Sequence, residues 1–252
     1  MTSKPFISII IATYNIREYV EALVVNLNSQ TFIDYEVLIS DGGSTDGSRD
    51  YFKPTIIRNL TWMQSSPDGG IYYALNKALD YARGTWIAVI GADDKFINEN
   101  ALANFYDYIC NIDETYNLVY TDLQIKSKNN IRFKNYPGYS QFKNMYGGLP
   151  PIHHQTAFFK RSCVRLYGKF DTTYRIHADY ELFSRIMSNE APLKIDLYVV
   201  LYNDSGFSSN WSNIIGSLKE MIKIRYKYNS GKIGIRIFLP YLRLIANKVA
   251  FK

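Results

Sequence analysis

Two adjacent carboxylates, Asp93 and Asp94, interrupt the stretch GTWIAVIGADDKF, which runs from Gly84 to Phe96. Trp86 to Ile90 is a short, β-rich apolar run, and an acid pair at its end repels itself unless something offsets the charge. A hard divalent cation does so. Mg²⁺ or Mn²⁺ typically takes one or two carboxylates and fills the rest of its shell with water and substrate phosphate oxygens. The competing account is a cap on the helix that follows.

Two further polar clusters follow apolar runs. Phe6 to Ala12 leads into Thr13, Tyr14 and Asn15, and Glu36 to Ser40 leads into DGGSTDGS, Asp41 to Ser48. Gly42 and Gly43 let the backbone approach a ligand, and an acid at Asp41 can hold a ribose or a base edge. Ser44 or Thr45 can instead cap a helix over Asp46 to Phe52. Farther on, HHQTAFFKR contains two of the three histidines, His153 and His154, and HADYELFSRI contains Asp179. A helix N-cap is a complete account of Asp179 taken alone.

The elements that must position these residues alternate. Strands are expected at Phe6 to Ala12, Glu36 to Ser40, Ile57 to Met63 and Trp86 to Ile90. Helical spacing appears over Arg17 to Gln30 and over Ile71 to Arg83, where Ile71, Leu75, Ala78, Leu79 and Ala82 share a face and Gly84 sits at the C-cap. This β-α-β-α rhythm predicts an α/β fold with a mostly parallel twisted sheet covered on both faces. In such a sheet the three polar clusters lie on one edge, where ligands bind. Beyond Ala101 the rhythm loosens. A helix over Ala101 to Cys110, a strand at Leu118 to Tyr120, a hairpin loop at KSKNN and a short helix from Asp179 to Met187 are expected.

The chain has 252 residues, 47% hydrophobic and 21% charged, which suits one large globular domain with an appendage. Cys110 and Cys163 match no metal spacing and read as reduced cytosolic thiols. Phe6 to Ala12 is too short for a signal sequence, and no uncharged run reaches the ~18 residues a spanning helix needs. The net charge of +6 is uneven: residues 213–252 hold nine Lys or Arg and one acid, a net +8, so the body carries −2. In that tail Ile214, Leu218, Met221, Ile222 and Tyr226 read as one helix face beside Lys219, Lys223 and Lys227. A basic amphipathic segment suits an anionic membrane surface, and packing on the domain with solvated lysines is the alternative. Nucleic acid is not expected as a partner, because the body is slightly acidic and no nucleic-acid motif appears.

ISIIIATYN, EVLISDGGSTDGS, PDGGIYYALNKAL and ARGTWIAVIGADD, in that order and spacing, resemble the family 2 glycosyltransferases. The set also resembles their bacterial cell-surface polysaccharide branch, the O-antigen and lipopolysaccharide type included. The resemblance covers roughly Pro5 to Ser209. It implies the A-type glycosyltransferase fold over residues 1–212, with a nucleotide-binding half to about 95 and an acceptor half from about 96, followed by the helical basic extension 213–252. It implies an inverting, Mn²⁺- or Mg²⁺-dependent transfer of a hexose or N-acetylhexosamine from a UDP-sugar to a lipid-linked saccharide, on the inner face of the plasma membrane.

By residue, the resemblance implies that Thr13, Tyr14, Asn15, Asp41, Gly42, Ser44, Asp68 and Asp93 bind the nucleotide sugar. Asp93 and Asp94 stand where the family carries an Asp-x-Asp metal motif whose first acid is here Gly91; which of the two touches the metal stays open. Asp179 matches the catalytic base, with Ala178 where the family often has Glu. His154, and with less support Glu181, falls on the acceptor or diphosphate side, although helix register points Glu181 elsewhere. A sugar nucleotidyltransferase and an inactive sugar-nucleotide-binding module are the alternatives. The first would normally show a Gly-rich basic phosphate loop where ATYNIRE stands.

Overall fold

The computed structural model describes residues 4–112, 114–127, 130–146, 148–204 and 214–229. The first half runs β1 (Ile7–Thr13), α1 (Val20–Asn28), β2 (Tyr35–Asp41), β3 (Leu60–Ser65), α2 (Ile71–Tyr81) and β4 (Trp86–Val89). Then come β5 (Lys95–Phe96), α3 (Ala101–Cys110), β6 (Leu118–Ser127), β7 (Asn130–Lys134) and α4 (Tyr139–Tyr146). The chain continues through β8 (Ala157–Lys160), α5 (Ser162–Tyr167), α6 (Ala178–Met187), β9 (Leu193–Asn203) and α7 (Ile214–Tyr228).

Among the described residues these strands form one sheet in the order β3-β2-β1-β4-β8-β6-β9-β5, with β7 paired to β6. The block β3-β2-β1-β4 is parallel. β8 is antiparallel to both β4 and β6, and β9 is parallel to β6. The carboxyl ends of β1, β2, β4, β6 and β9 and the start of β8 therefore share one edge. The chain steps from β1 outward to β3 and returns to β4 on the other side of β1, so the switch point falls where the loops after β1 and β4 meet.

β1 reads as an unbroken apolar run because both faces are covered. Ile10 joins the core under α2 and α6, while Ile7, Ile9 and Ile11 join the core under α1 and α3. Burying one such side chain fully contributes about 1.5–3 kcal/mol. α1 buries Val20, Leu23, Val24 and Leu27, one face of a 3.6-residue period.

Several local expectations are corrected. The third strand starts at Leu60, with Ile57 buried in the turn before it. Asp46 to Phe52 contains only a 3₁₀ turn, Ser48–Tyr51, and Ser44 does not cap it because its hydroxyl is turned to Asp41. Gly84 is not the C-cap; α2 ends at Tyr81 and Ala82 is its C-cap. A Cβ at position 84 would sit 2.4 Å from the Ser8 nitrogen, so the residue is small because two backbones touch. In α2 the buried face begins with Tyr72, while Ile71 is half exposed.

α7 is built into the domain. Arg225 is 1% exposed, and its guanidinium donates to the carbonyls of Leu149 and Tyr146. Glu220 accepts the backbone N–H groups of Arg175, Ile176 and His177, the residues that lead into α6. The packed face is Ser217, Met221, Ile224, Arg225 and Tyr228; Tyr226, expected on it, is 67% exposed. Residues 230–252, the remainder of the basic tail, lie outside the described residues. Among those described, no helix is long and apolar enough to cross a membrane.

Candidate active site

The loops after β1 and β2 are clipped together. Asp41 is 2% exposed, and its Oδ1 accepts from Thr13 Oγ1 (3.0 Å) and Ser44 Oγ (2.5 Å). Its Oδ2 accepts from the Gly43 and Ser44 nitrogens (3.1 and 2.9 Å) and from Ser65 Oγ (2.5 Å). Burial works against this charge, but the Ser44, Ser65 and Thr13 donors prevail and hold the carboxyl below its ordinary value. Asp41, expected at the base or ribose, has both oxygens occupied by the protein and organises the loop. Asn15 (φ 50°) donates its backbone N–H to Ser44 Oγ and accepts the Thr45 N–H at its side chain. Thr13, Asn15, Asp41 and Ser44 thus form a scaffold. The surface it carries is Tyr14, 65% exposed, with Gly42 and Asp68. A Cβ at Gly42 would lie 3.3 Å from the Tyr14 ring and 3.4 Å from Asp68 Oδ2, so these three residues are neighbours.

Asp93 and Asp94 differ. Asp94 is 1% exposed; its Oδ1 accepts the Asn203 N–H and its Oδ2 the Gly91 N–H, both at 3.0 Å. It ties the end of β9 to the turn after β4. Burial pushes its carboxyl up to about 6. Asp93 is partly exposed, and burial raises its carboxyl as well. The position a Cβ would take on Gly91 lies 2.7 Å from Asp94 Oδ2 and 2.9 Å from Asp93 Oδ1. Two carboxylate oxygens therefore converge beside Gly91, in a cradle that any larger residue would crowd. Among the described residues no group of three or more His, Cys, Asp or Glu is placed to hold a metal ion by itself.

The start of β8 and the start of α6 meet across the same edge. His154 Nδ1 lies 2.7 Å from Asp179 Oδ2. Asp179 Oδ1 accepts from the Tyr180 nitrogen (2.8 Å) and the Tyr72 hydroxyl (3.1 Å). Asp179 is not the N-cap of α6; that position is His177, and Asp179 stands in the first turn, where the helix dipole favours its charge. Burial opposes the Asp179 charge, but the His154 hydrogen bond and charge outweigh it and hold the carboxyl at about 2. Burial also works against a charged His154, yet Asp179, with Asp94 and Asp93 behind it, raises the imidazole above its ordinary value. The histidine therefore joins the Asp179 side of the cleft electrostatically to the acid pair.

Glu181 is removed from this group. It sits two residues beyond Asp179, about 200° around the helix, and its carboxylate is held by Arg185, Lys227 and Tyr228. Two residues that the sequence did not flag shape the site. Tyr72 bonds Asp179 from α2, and Glu220 holds the segment that presents it. Neither has a local sequence signal, since their partners lie 107 and 43 residues away.

The glycosyl transferase family 2 model matches residues 8–168, which contain every strand-end cluster just described except Asp179. This chain belongs to glycosyl transferase family 2. A PGL/p-HBAD biosynthesis glycosyltransferase of Mycobacterium bovis is 32% identical over 246 residues, 96% of this chain and 91% of the relative. A putative teichuronic acid biosynthesis glycosyltransferase, TuaG of Bacillus subtilis, is 35% identical over 37% of this chain and 38% of its own. Among solved structures, the mannosyltransferase PcManGT from Pyrobaculum calidifontis in complex with GDP-Man and Mn²⁺ has a TM-score of 0.65 at 20% identity, covering 97% of this chain and 70% of its own. S. aureus TarS in complex with UDP has a TM-score of 0.61 at 19% identity, covering 79% and 60%. This chain thus spans less than two thirds of that TarS structure. These neighbours show the A-type glycosyltransferase fold.

Proposed function

We propose that this family 2 member is an inverting glycosyltransferase that moves a hexose or N-acetylhexosamine from a UDP-sugar to a hydroxyl of a lipid-linked saccharide in bacterial surface polysaccharide synthesis. The observation that supports it most is the meeting, on one sheet edge, of the Asp93–Asp94 cradle and the His154–Asp179 pair. The UDP-bound TarS structure supports a UDP-sugar donor, and the PGL/p-HBAD and teichuronic acid biosynthesis glycosyltransferases support a role in building bacterial glycans. Family membership favours a transferase over a sugar nucleotidyltransferase.

Asp93 and Asp94 would hold Mn²⁺ or Mg²⁺, with Asp93 the more open ligand and Asp94 fixing the turn. When bound, the cation supplies charge stabilisation for the diphosphate that leaves. Tyr14, Gly42 and Asp68 bind the nucleoside on the scaffold built by Thr13, Asn15, Asp41 and Ser44. Asp179 and His154 take the acceptor's proton as a unit. The charged His154 holds the carboxylate low, so the pair accepts a proton only once the imidazole is neutral, and Asp179 then stabilises the charge that forms on it. The acceptor oxygen attacks the anomeric carbon as the bond to the diphosphate breaks on the opposite face, so one displacement inverts the centre. Residues 213–252 provide peripheral membrane contact through the lysines left exposed on α7 and the basic tail beyond it.

UDP release with a panel of UDP-sugars, with and without a synthetic sugar-diphosphate-lipid, tests this reading. Release that needs both the cation and the acceptor supports it. Metal-dependent UDP binding with no turnover on any donor would instead favour the inactive binding module.

A further inference from the structure

Lys134, at the end of β7, is a partly buried cation whose described contacts include no acid. Its Nζ donates to His153 Nε2 at 3.3 Å and lies 4.7 Å from the centre of the Tyr136 ring. Burial holds His153 down at about 3, so its imidazole is neutral and accepts that bond without compensating the charge. Burial also lowers Lys134 itself, to about 8, and no neighbouring carboxylate opposes the shift.

The acids nearest in the fold are engaged elsewhere. Asp122 accepts the Tyr136 N–H and pairs with Lys194; Asp204 pairs with Arg132; Asp179 pairs with His154. The one side-chain acid outside the described residues is Asp113. A desolvated ammonium with no counter-charge is costly to retain unless an anion joins it. The ring beneath it belongs to Tyr136, whose buried hydroxyl has no hydrogen-bond partner among the described residues. Through His153 the ammonium is one residue from His154, on the acceptor side of the cleft.

We propose that Lys134, steadied by His153 and Tyr136, is a phosphate-binding subsite that takes a phosphate or diphosphate group of a substrate bound beside the His154–Asp179 pair. This deepens the transferase reading and rests on it for the identity of that substrate. Two sources offer the same chemistry, the donor's diphosphate and a phosphate on the acceptor.

The test is calorimetric titration of the full chain with inorganic pyrophosphate in EDTA, so that the acid pair takes no part and no turnover is needed. Wild type should bind, more weakly as salt is added. Lys134→Met should lose about tenfold or more of the affinity, the scale of a charge-assisted contact, and Lys134→Arg should keep most of it. Lys134→Met should also melt no lower than wild type, because an uncompensated charge has been removed; a purely structural lysine would lower the melting temperature. Unchanged pyrophosphate affinity in Lys134→Met, or no binding by wild type, would overturn the subsite and leave the transferase reading standing. Equal loss for UDP with Mn²⁺ assigns the site to the donor, and loss only for an alkyl monophosphate assigns it to the acceptor.

Discussion

His154 Nδ1 and Asp179 Oδ2 lie 2.7 Å apart, joining the start of β8 to the first turn of α6. The bond gives Asp179 a fixed direction and a low pKa, and it leaves His154 responsive to Asp93 and Asp94. Asp179→Asn removes the charge at almost constant shape and should lower kcat by about 10²–10⁴-fold, as should His154→Ala. UDP affinity measured by calorimetry should change little in either. The double variant should be little worse than the worse single one, because the two residues act as a unit.

The pair also sets a pH window. The Asp179 carboxyl is lowered to about 2, so its contribution to stability is present above its unfolded value near 3.9 and is lost as pH falls toward 2. The His154 imidazole is raised, so its contribution is present below 6.5 and is lost as pH rises through the folded value. The stabilisation should be fullest between about pH 4 and 6.5, read as the melting temperature of wild type against His154→Gln. Activity runs the other way at the upper end. A protonated His154 accepts no proton, so kcat/KM should rise with pH through an apparent value above 6.5, and His154→Gln should lose that limb.

Burial raises Asp94 to about 6, so the free protein protonates this carboxyl as pH falls through that value. Bound cation requires it ionised. Mn²⁺ affinity should therefore climb across pH 5 to 7, with proton release detectable by calorimetry in buffers of different ionisation enthalpy.

Gly91→Ala places a methyl 2.7 Å from Asp94 Oδ2 and 2.9 Å from Asp93 Oδ1. It should abolish the thermal shift produced by Mn²⁺, while the circular dichroism spectrum stays that of the native fold.

Glu220→Gln weakens the charge-assisted hold on three backbone N–H groups before α6 and should cost about 1.5–3 kcal/mol of stability in urea. Arg225→Met strands the carbonyls it serves, which costs about 1–3 kcal/mol per buried unsatisfied group. Both should lower kcat by disturbing Asp179, although neither side chain reaches the cleft.

The half of the fold that reads clearly from sequence is the half with local signals. Unbroken apolar runs and helical stripes such as Val20, Leu23, Val24 and Leu27 locate β1, β2 and β4 and their helices, and the parallel arrangement then gathers Tyr14, Gly42 and Asp93 on one edge. What sequence could not reveal depends on contacts distant in the chain. Asp41 reads as a ligand-binding acid, and the five protein donors that hold it, spread from Thr13 to Ser65, are invisible in a linear string. Tyr72 hides beside Ile71, and only the packing decides which of the two turns inward. Arg225 and Glu220 look like parts of a solvated basic tail, yet their partners are carbonyls and amides 43 to 79 residues earlier.

The most direct measurement follows the anomeric proton signals by NMR during turnover of the active UDP-sugar, with wild type and Asp179→Asn side by side. The expected product has the anomeric configuration opposite to the donor's and forms at a rate that collapses in the variant while UDP still binds. A product of retained configuration, or an Asp179→Asn enzyme that turns over at the wild-type rate, would contradict this mechanism.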